Sequence, residues 1–133
     1  MSRLSPTQRT LRELRNQGRV AAVVERWNQH GGTHGIRQDL FGIVDVLALD
    51  PKRGFVGVQA CAGSGFAAHF RKLTIDNAQA SLDWLQTPGG VLEIWAWRKL
   101  VRKRGGKAKI WVPRVVEVTL EDIASNLRSP TIA

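Results

Sequence analysis

"DLFGIVDVLALDPKRGFVGVQAC", residues 39–61, is the stretch whose reading decides how this chain folds. Phe41, Ile43, Val44, Val46, Leu47, Ala48 and Leu49 make residues 40–49 read as a strand buried on both faces. "DPKRG", 50–54, is a turn of Asp-Pro type, and "FVGVQAC", 55–61, is a second apolar strand, so the two runs form a hairpin. Asp45 interrupts the first run. A carboxylate buried there is costly unless something pairs it. A metal ion is one partner. A fixed cation such as Arg37, or an amide network, is another.

The pattern extends in both directions. "SPTQRTLRELRNQG", 5–18, is a helix with clear ends: Ser5 as N-cap, Pro6 in the first helical position, Gln8 closing a capping box and Gly18 as a left-handed stop. Leu4, Leu11 and Leu14 share a face, with the arginines mostly on the others. "RVAAVVERW", 19–27, is a short β-rich run, and 28–38 is a polar, glycine-rich loop. After the hairpin, "AGSG", 62–65, is a tight turn in which Ser64 is placed to cap a helix through "FAAHFRKL". Asp76 and Gln79 give a second capping signal, ahead of an apolar stripe of Ala78, Leu82 and Leu85. "VLEIWAW", 91–97, is a strand, 98–109 a basic hairpin loop and 110–120 the last strand, which Pro113 assigns to an edge or a bulge. The segment 121–133 reads as a frayed tail with slight helical character. A helix that leads from the third strand back to the fourth implies a parallel neighbour through a right-handed crossover. The expected architecture is a single α/β domain, core about 5–120 of residues 1–133, with a mixed central sheet in an α-β-β-β-α-β order plus a C-terminal strand.

A chain of 133 residues with 43% apolar side chains is enough for one folded domain. The net charge of +9 is concentrated in two places. Arg3, Arg9, Arg12, Arg15 and Arg19 lie in the first helix region, and Arg98, Lys99, Arg102, Lys103, Arg104, Lys107 and Lys109 lie in the basic loop. Such clusters favour an anionic partner, nucleic acid first, over the plain alternative of a solvated surface. The lone Cys61 excludes an internal disulfide framework. The arginine-rich start lacks an apolar signal core, and no apolar run approaches the roughly 18 residues of a membrane span. The expectation is a cytoplasmic protein without membrane contact.

Asp45 on one strand, opposite the i, i+2 pair Gln59 and Cys61 on the next, resembles the core of the PD-(D/E)XK nuclease superfamily. The resemblance covers residues 5–97. "WLQTPGGVLEIWAW" looks like the closing helix-to-strand step of Holliday-junction-resolvase-like and VRR-NUC-like members, and "RQDLFG", "VQ" and "WRK" are similar to patterns in small phage and prophage proteins. The resemblance implies a restriction-endonuclease-like fold. It also implies Mg²⁺ or Mn²⁺ as cofactor, DNA as partner, a homodimer and, for a phage-encoded chain, the bacterial host cytoplasm. By analogy Asp45 takes the place of the invariant aspartate, Gln59 that of the second acid and Cys61 that of the lysine. The resemblance lets Lys72 on the following helix supply the lysine, and Glu13 the extra acid, with Glu25 and Asp39 as other candidates. Metal ligands would then be Asp45, Gln59 and Glu13, with Lys72 steadying the transition state.

Each residue also has a plain reading. Gln59 is a satisfied buried amide, Lys72 a solvated helix residue, Glu13 a partner in ordinary helix pairs and Cys61 a small hydrophobe. His30, His34 and His69 with Cys61 offer a zinc set only without a second cysteine. "GGTHG" and "GSG" lack the P-loop lysine and serine and read as turns. Trp95 and Trp97 share a face beside the basic loop, as base-stacking platforms or as core. The functional expectation is a metal-dependent DNA endonuclease acting on branched or phage intermediates. Its DNA contacts would come from Arg12, Arg15, Arg37, Arg98, Lys99, Arg102, Lys103, Arg104 and Lys107. The rivals are a degenerate nuclease fold that holds DNA or a host protein without cutting, and a structural protein of a phage particle.

Overall fold

The computed structural model describes residues 3–30 and 35–127. Helix α1, Pro6–Asn16, is fixed at its start by both halves of the capping box: Gln8 N–H donates to Ser5 Oγ at 3.2 Å, and Ser5 N–H donates to Gln8 Oε1 at 3.3 Å. Gly18 ends it at φ +83°. The chain then enters β1, Val20–Val23, and a small separate ribbon of β2, Arg26–Asn28, and β3, Ile36–Gln38. The central hairpin is β4, Val46–Asp50, and β5, Gly54–Ala62. Asp50 Oδ1 holds its turn by accepting from the N–H groups of Lys52 and Arg53 at 2.9 and 3.2 Å. A short 3₁₀ turn, α2 (Phe66–Arg71), a π turn over Lys72–Asp76 and α3 (Ala78–Gln86) lead to β6, Gly90–Val101. Strand β7, Lys109–Val118, and helix α4, Leu120–Leu127, follow.

The five-stranded sheet has the order β1-β4-β5-β6-β7. All its neighbours are antiparallel except β5 and β6, which run parallel through the α2–α3 crossover. Alternation along each strand separates two cores. On one face Val46, Ala48, Val56, Val58, Trp95 and Trp97 pack against Leu14 of α1, with Leu11 beside them. On the other, Cys61, Leu92, Ile94, Ala96 and Val118 pack with Ile43, Val44 and Leu73 beneath the helices of the crossover.

Five expectations change. Residues 40–49 are not one strand: Leu40 and Val44 bridge across a tight turn that puts Phe41 at φ 56° and Gly42 at φ 75°, and the strand begins only at Val46. The run 19–27 divides into β1 and β2. Neither Ser64 nor Asp76 caps a helix; the N-cap positions of α2 and α3 are Gly65 and Asn77, neither with a side-chain cap, and Asp76 faces Arg71 at 3.8 Å. The tail is not frayed through its described part, because α4 buries Ile123 completely, while residues 128–133 lie outside the described residues. The basic loop is also shorter than 98–109. Strand β5 stops at the pair Ala62–Trp97, and β6 and β7 continue alone as a two-stranded ribbon to Val101–Lys109. Pro113 sits on the terminal strand β7.

The crossover leaves no room at Gly90: a Cβ there would collide with the Trp84 carbonyl oxygen. Gly90→Ala is expected to cost about 3 kcal/mol or more through backbone displacement. Urea unfolding would read this as a fall in midpoint at unchanged slope.

Candidate functional site

Asp45 sits in the bend just before β4, and its backbone joins three segments. Its carbonyl accepts from Val24 and Glu25 N–H at 2.8 and 3.3 Å, and its own N–H donates to the Val58 carbonyl at 2.9 Å. Its carboxylate, 5% exposed as a residue, accepts from the Ala60 N–H at 2.9 Å. The bonds from 24–25 bring Glu25 to it, and the 40–44 turn brings Asp39. Ligand oxygens of Glu25, Asp39 and Asp45 all lie within 4.8 Å of one another.

On the opposite side stands a cationic and amide network. Lys72, the first residue of the π turn, places Nζ 2.5 Å from Asp39 Oδ2 and 3.0 Å from Gln59 Oε1. The Gln59 amide is fully buried, and all its capacity is used. Nε2 donates to Asp39 Oδ2 at 3.1 Å and to the Ile43 carbonyl at 2.9 Å. Oε1 accepts from Lys72 and lies 2.8 Å from His69 Nδ1. Because that oxygen can only accept, the contact assigns the proton to Nδ1 and leaves Nε2 as the acceptor of the ring. The π turn is closed by Asn77 N–H on the Lys72 carbonyl at 2.8 Å, and Asn77 Nδ2 donates to the Gly42 carbonyl at 2.7 Å. One side chain therefore ties the turn that carries Asp39 to the turn that carries Lys72. A cavity of about 250 Å³ opens over these groups, lined also by Ser5 and Thr7 at the start of α1 and by Arg37.

Charge is unevenly compensated in this cavity. Asp39 is held below the usual carboxylate range: burial opposes ionisation, but hydrogen bonds from Asp45, Lys72 and Gln59 outweigh it. Asp45 is pushed up to about 8, first by burial and then by the Asp39 and Glu25 carboxylates. Burial and the Lys72 charge lower the His69 pKa, which favours the neutral ring. No cation lies within ion-pair distance of Asp45 among the described residues. The contrast is Glu93, equally buried at 5%, whose carboxylate has Arg53 at 2.9 Å and Trp95 Nε1 at 3.0 Å.

Asp45, Gln59 and Lys72 thus come together, and Asp39 and Glu25 join them. Glu13 does not: on the second turn of α1 its carboxylate accepts from Gln17 at 2.9 Å, outside the acidic group. Arg37 pairs with Glu25 at 3.7 Å, and not with Asp45. His69 was legible only as a zinc candidate, although its i, i+3 spacing to Lys72 puts both on one helical face. Cys61 is buried, and neither it nor His30 belongs to an acidic or ligand group among the described residues; His34 lies outside them. Trp95 and Trp97 are core at 3% and 6% exposure, with Trp97 Nε1 donating to Thr10 Oγ1 at 2.9 Å. Arg12, Arg98, Lys99, Arg102, Lys103, Arg104 and Lys107 are exposed, whereas Arg15 donates to the Ala21 carbonyl at 3.0 and 3.3 Å. No protein-family model, curated protein or solved structure matches the chain. No helix among the described residues is long and apolar enough to cross a membrane.

The folded state keeps a proton on Asp45 up to about 8, whereas the unfolded chain releases it near 3.8. Between those values the folded state binds more protons, so stability falls as pH rises through the window. Asp45→Asn supplies a permanent donor toward Asp39 and an acceptor for Ala60 N–H. In chelator, wild-type Tm is expected to drop by several degrees between pH 5 and pH 9, at about 4 °C per kcal/mol, and the variant's to stay level by comparison. Parallel curves for the two proteins would refute the assignment.

Proposed function

We propose that this chain is a metal-dependent DNA endonuclease of the PD-(D/E)XK kind. The observation that carries the reading is Asp45: a buried carboxyl, with two more carboxylates beside it and no cation within ion-pair distance among the described residues. Acidic groups often gather without an ion, so the weight lies on burial and missing compensation. The donor set is all oxygen, which suits Mg²⁺ or Mn²⁺ and completion by water. The topology supports the same reading: α1, β1, β4, β5, the α2–α3 crossover and β6 follow the α-β-β-β-α-β order, with only β5 and β6 parallel.

In this reading Asp45, Asp39 and Glu25 hold the cation. Glu25 takes the place that the resemblance gives to Glu13. Gln59 acts as a positioning residue, since both lone pairs of its oxygen are already engaged by Lys72 and His69. The bound cation supplies activation of the attacking water and neutralises charge on the phosphate. Lys72 adds a fixed positive charge beside the phosphate oxygens as negative charge develops. His69, neutral and with Nε2 as its accepting nitrogen, is suited to take a proton. The start of α1 faces the same cavity with the positive end of its dipole. The basic residues at the end of the sheet attract DNA, and cytoplasmic DNA intermediates of a phage or its host are the substrate class.

The test is cleavage of labelled duplex, single strand, flap and four-way junction with Mg²⁺ or Mn²⁺. Wild type is expected to cut at least one of these. Asp45→Ala and Asp39→Ala are expected to be inactive, Lys72→Ala slower by about a hundredfold or more, and Glu13→Ala close to wild type. Separately from activity, Mg²⁺ at pH 8 is expected to raise the Tm of wild type and not that of Asp45→Asn. Binding without cutting, and no Mg²⁺ effect on Tm, would favour a domain that holds DNA only.

A further inference from the structure

Beyond the acidic cavity, aromatic rings and cations meet where β5 ends. Strand β5 stops at Ala62, while β6 and β7 run on as the exposed ribbon. The gap is a groove of about 490 Å³, lined by Gly63, Ser64, Arg98, Trp111 and Arg114 among others. Its cations are held in an unusual way. Elsewhere Arg19, Arg37, Arg53, Arg71 and Lys72 face carboxylates. On the α1 face of the ribbon Arg9 lies 4.1 Å from the Trp111 ring centre and Lys99, paired with Trp111 across the ribbon, lies 5.2 Å from the same ring; on the opposite face Arg114 lies 4.2 Å from the Phe66 ring of α2. None of Arg9, Arg98, Lys99 and Arg114 has a carboxylate within ion-pair distance among the described residues. A guanidinium held over a ring by cation–π attraction keeps N–H donors available for a second, anionic partner, and phosphate matches them.

We propose that the α1-face rim of this groove binds an unpaired stretch of a nucleic-acid strand, with a base on Trp111 and the flanking phosphates on Arg9 and Lys99. Trp111 is 39% exposed on the terminal strand, unlike the buried Trp95 and Trp97. Rings interleaved with unpaired cations are what single strands require, because each base needs a stacking partner as each phosphate needs a charge. A duplex keeps its bases stacked internally and offers nothing to Trp111. The groove has the volume of a small-molecule pocket, within the usual range of about 300–1,000 Å³. Lys99, the more distant of the two cations on the ring, is the one a base displaces.

The groove lies near the acidic cavity. Ala60 lines the cavity and Ala62 the groove, two residues apart on β5 and so about 7 Å. A strand seated on Trp111 therefore runs on toward Asp45 within a few nucleotides. The proposal rests on the nuclease reading only in making this the substrate's lead-in: cutting is directed to the border between an unpaired segment and the duplex next to it.

Binding is to be measured in chelator by fluorescence anisotropy, with a labelled single-stranded oligothymidine and a duplex of equal length, so that no cutting intervenes. Trp111→Ala is expected to weaken single-strand binding by about tenfold or more and duplex binding by less than about threefold. Trp111→Phe is expected to restore most of the loss, and Trp27→Ala, an exposed tryptophan on β2, to have no effect. Arg9→Gln with Lys99→Gln is expected to reduce the slope of log Kd against log salt by about 1.4 for the single strand. Unchanged single-strand binding by Trp111→Ala, equal losses on both substrates, or no single-strand binding by wild type overturns the proposal. Trp111-dependent binding by a protein that cuts nothing keeps the groove and refutes the nuclease. Cutting that is indifferent to Trp111 does the reverse.

Discussion

The structure depends on the way Asp45 is held. Its backbone receives two N–H groups from the 24–25 segment and gives its own to Val58, while its carboxyl takes the Ala60 N–H. These bonds join the end of β1, the start of β4 and the middle of β5 at one residue. The same bonds keep the carboxyl away from water. An ordinary structural carboxylate in that position would have a cation, as Glu93 has Arg53 on the same sheet. Asp45 has a proton instead, shared with Asp39. The fold thus spends a favourable scaffold position on a group whose charge no cation among the described residues compensates, and the cation proposed above would supply that compensation.

Compensation elsewhere makes the omission specific. Lys72 faces Asp39, Arg37 faces Glu25, Arg53 serves both Glu93 and Glu117, and Arg19 faces Asp50. The acids of the body are largely paired, so the net charge of +9 is left to residues that face solvent. Most of these lie on the ribbon of β6 and β7, on its connection and on the exposed side of α1. Their field attracts an anion to the end of the sheet where both the acidic cavity and the aromatic groove open.

Much of this was legible in the sequence where the signal is local. The capping box of α1, its left-handed stop at Gly18, the hairpin turn at Asp50 and the edge strand carrying Pro113 are each set by a few adjacent residues, and each is present. The parallel crossover followed from connection rules. What was hidden depends on distant partners. The apolar run 40–49 gave no sign of the turn at Phe41 and Gly42, because Ile43 and Val44 are buried in a turn as they would be in a strand. Burial of hydrophobes outweighed strand propensity there, and Asp39 was carried into the cavity as a consequence. The hairpin spacing put Asp45 opposite Gln59, and the resemblance offered Lys72 from the following helix. The exclusion of Glu13 was not legible, because helix phase alone does not say which turn of α1 faces the sheet end. Trp95 and Trp97 drew attention through their number and spacing, whereas Trp111, isolated in a run of aliphatic residues, is the ring left at the surface.

Gln59 shows why the acidic group has this composition. Its Nε2 serves two acceptors, Asp39 Oδ2 and the Ile43 carbonyl. A glutamate there would present an oxygen to both, adding a fourth carboxylate to three already within 4.8 Å and leaving the Ile43 carbonyl without a donor. With Asp39 brought in by the 40–44 turn, an amide is the side chain that satisfies the position. The same logic applies two residues on. Cys61 points into the apolar core with Leu73, Ile94 and Ala96, where a lysine ammonium would be desolvated. Lys72 reaches the acids from the π turn instead, and the Asn77–Gly42 bond fixes that turn against the one carrying Asp39. Neither a second acid nor a lysine stands on β5, and the two absences suit one another: Asp39 needs the Lys72 charge to stay ionised beside Asp45, and Lys72 needs Asp39 and Gln59 to be held in a cavity it enters from outside the sheet.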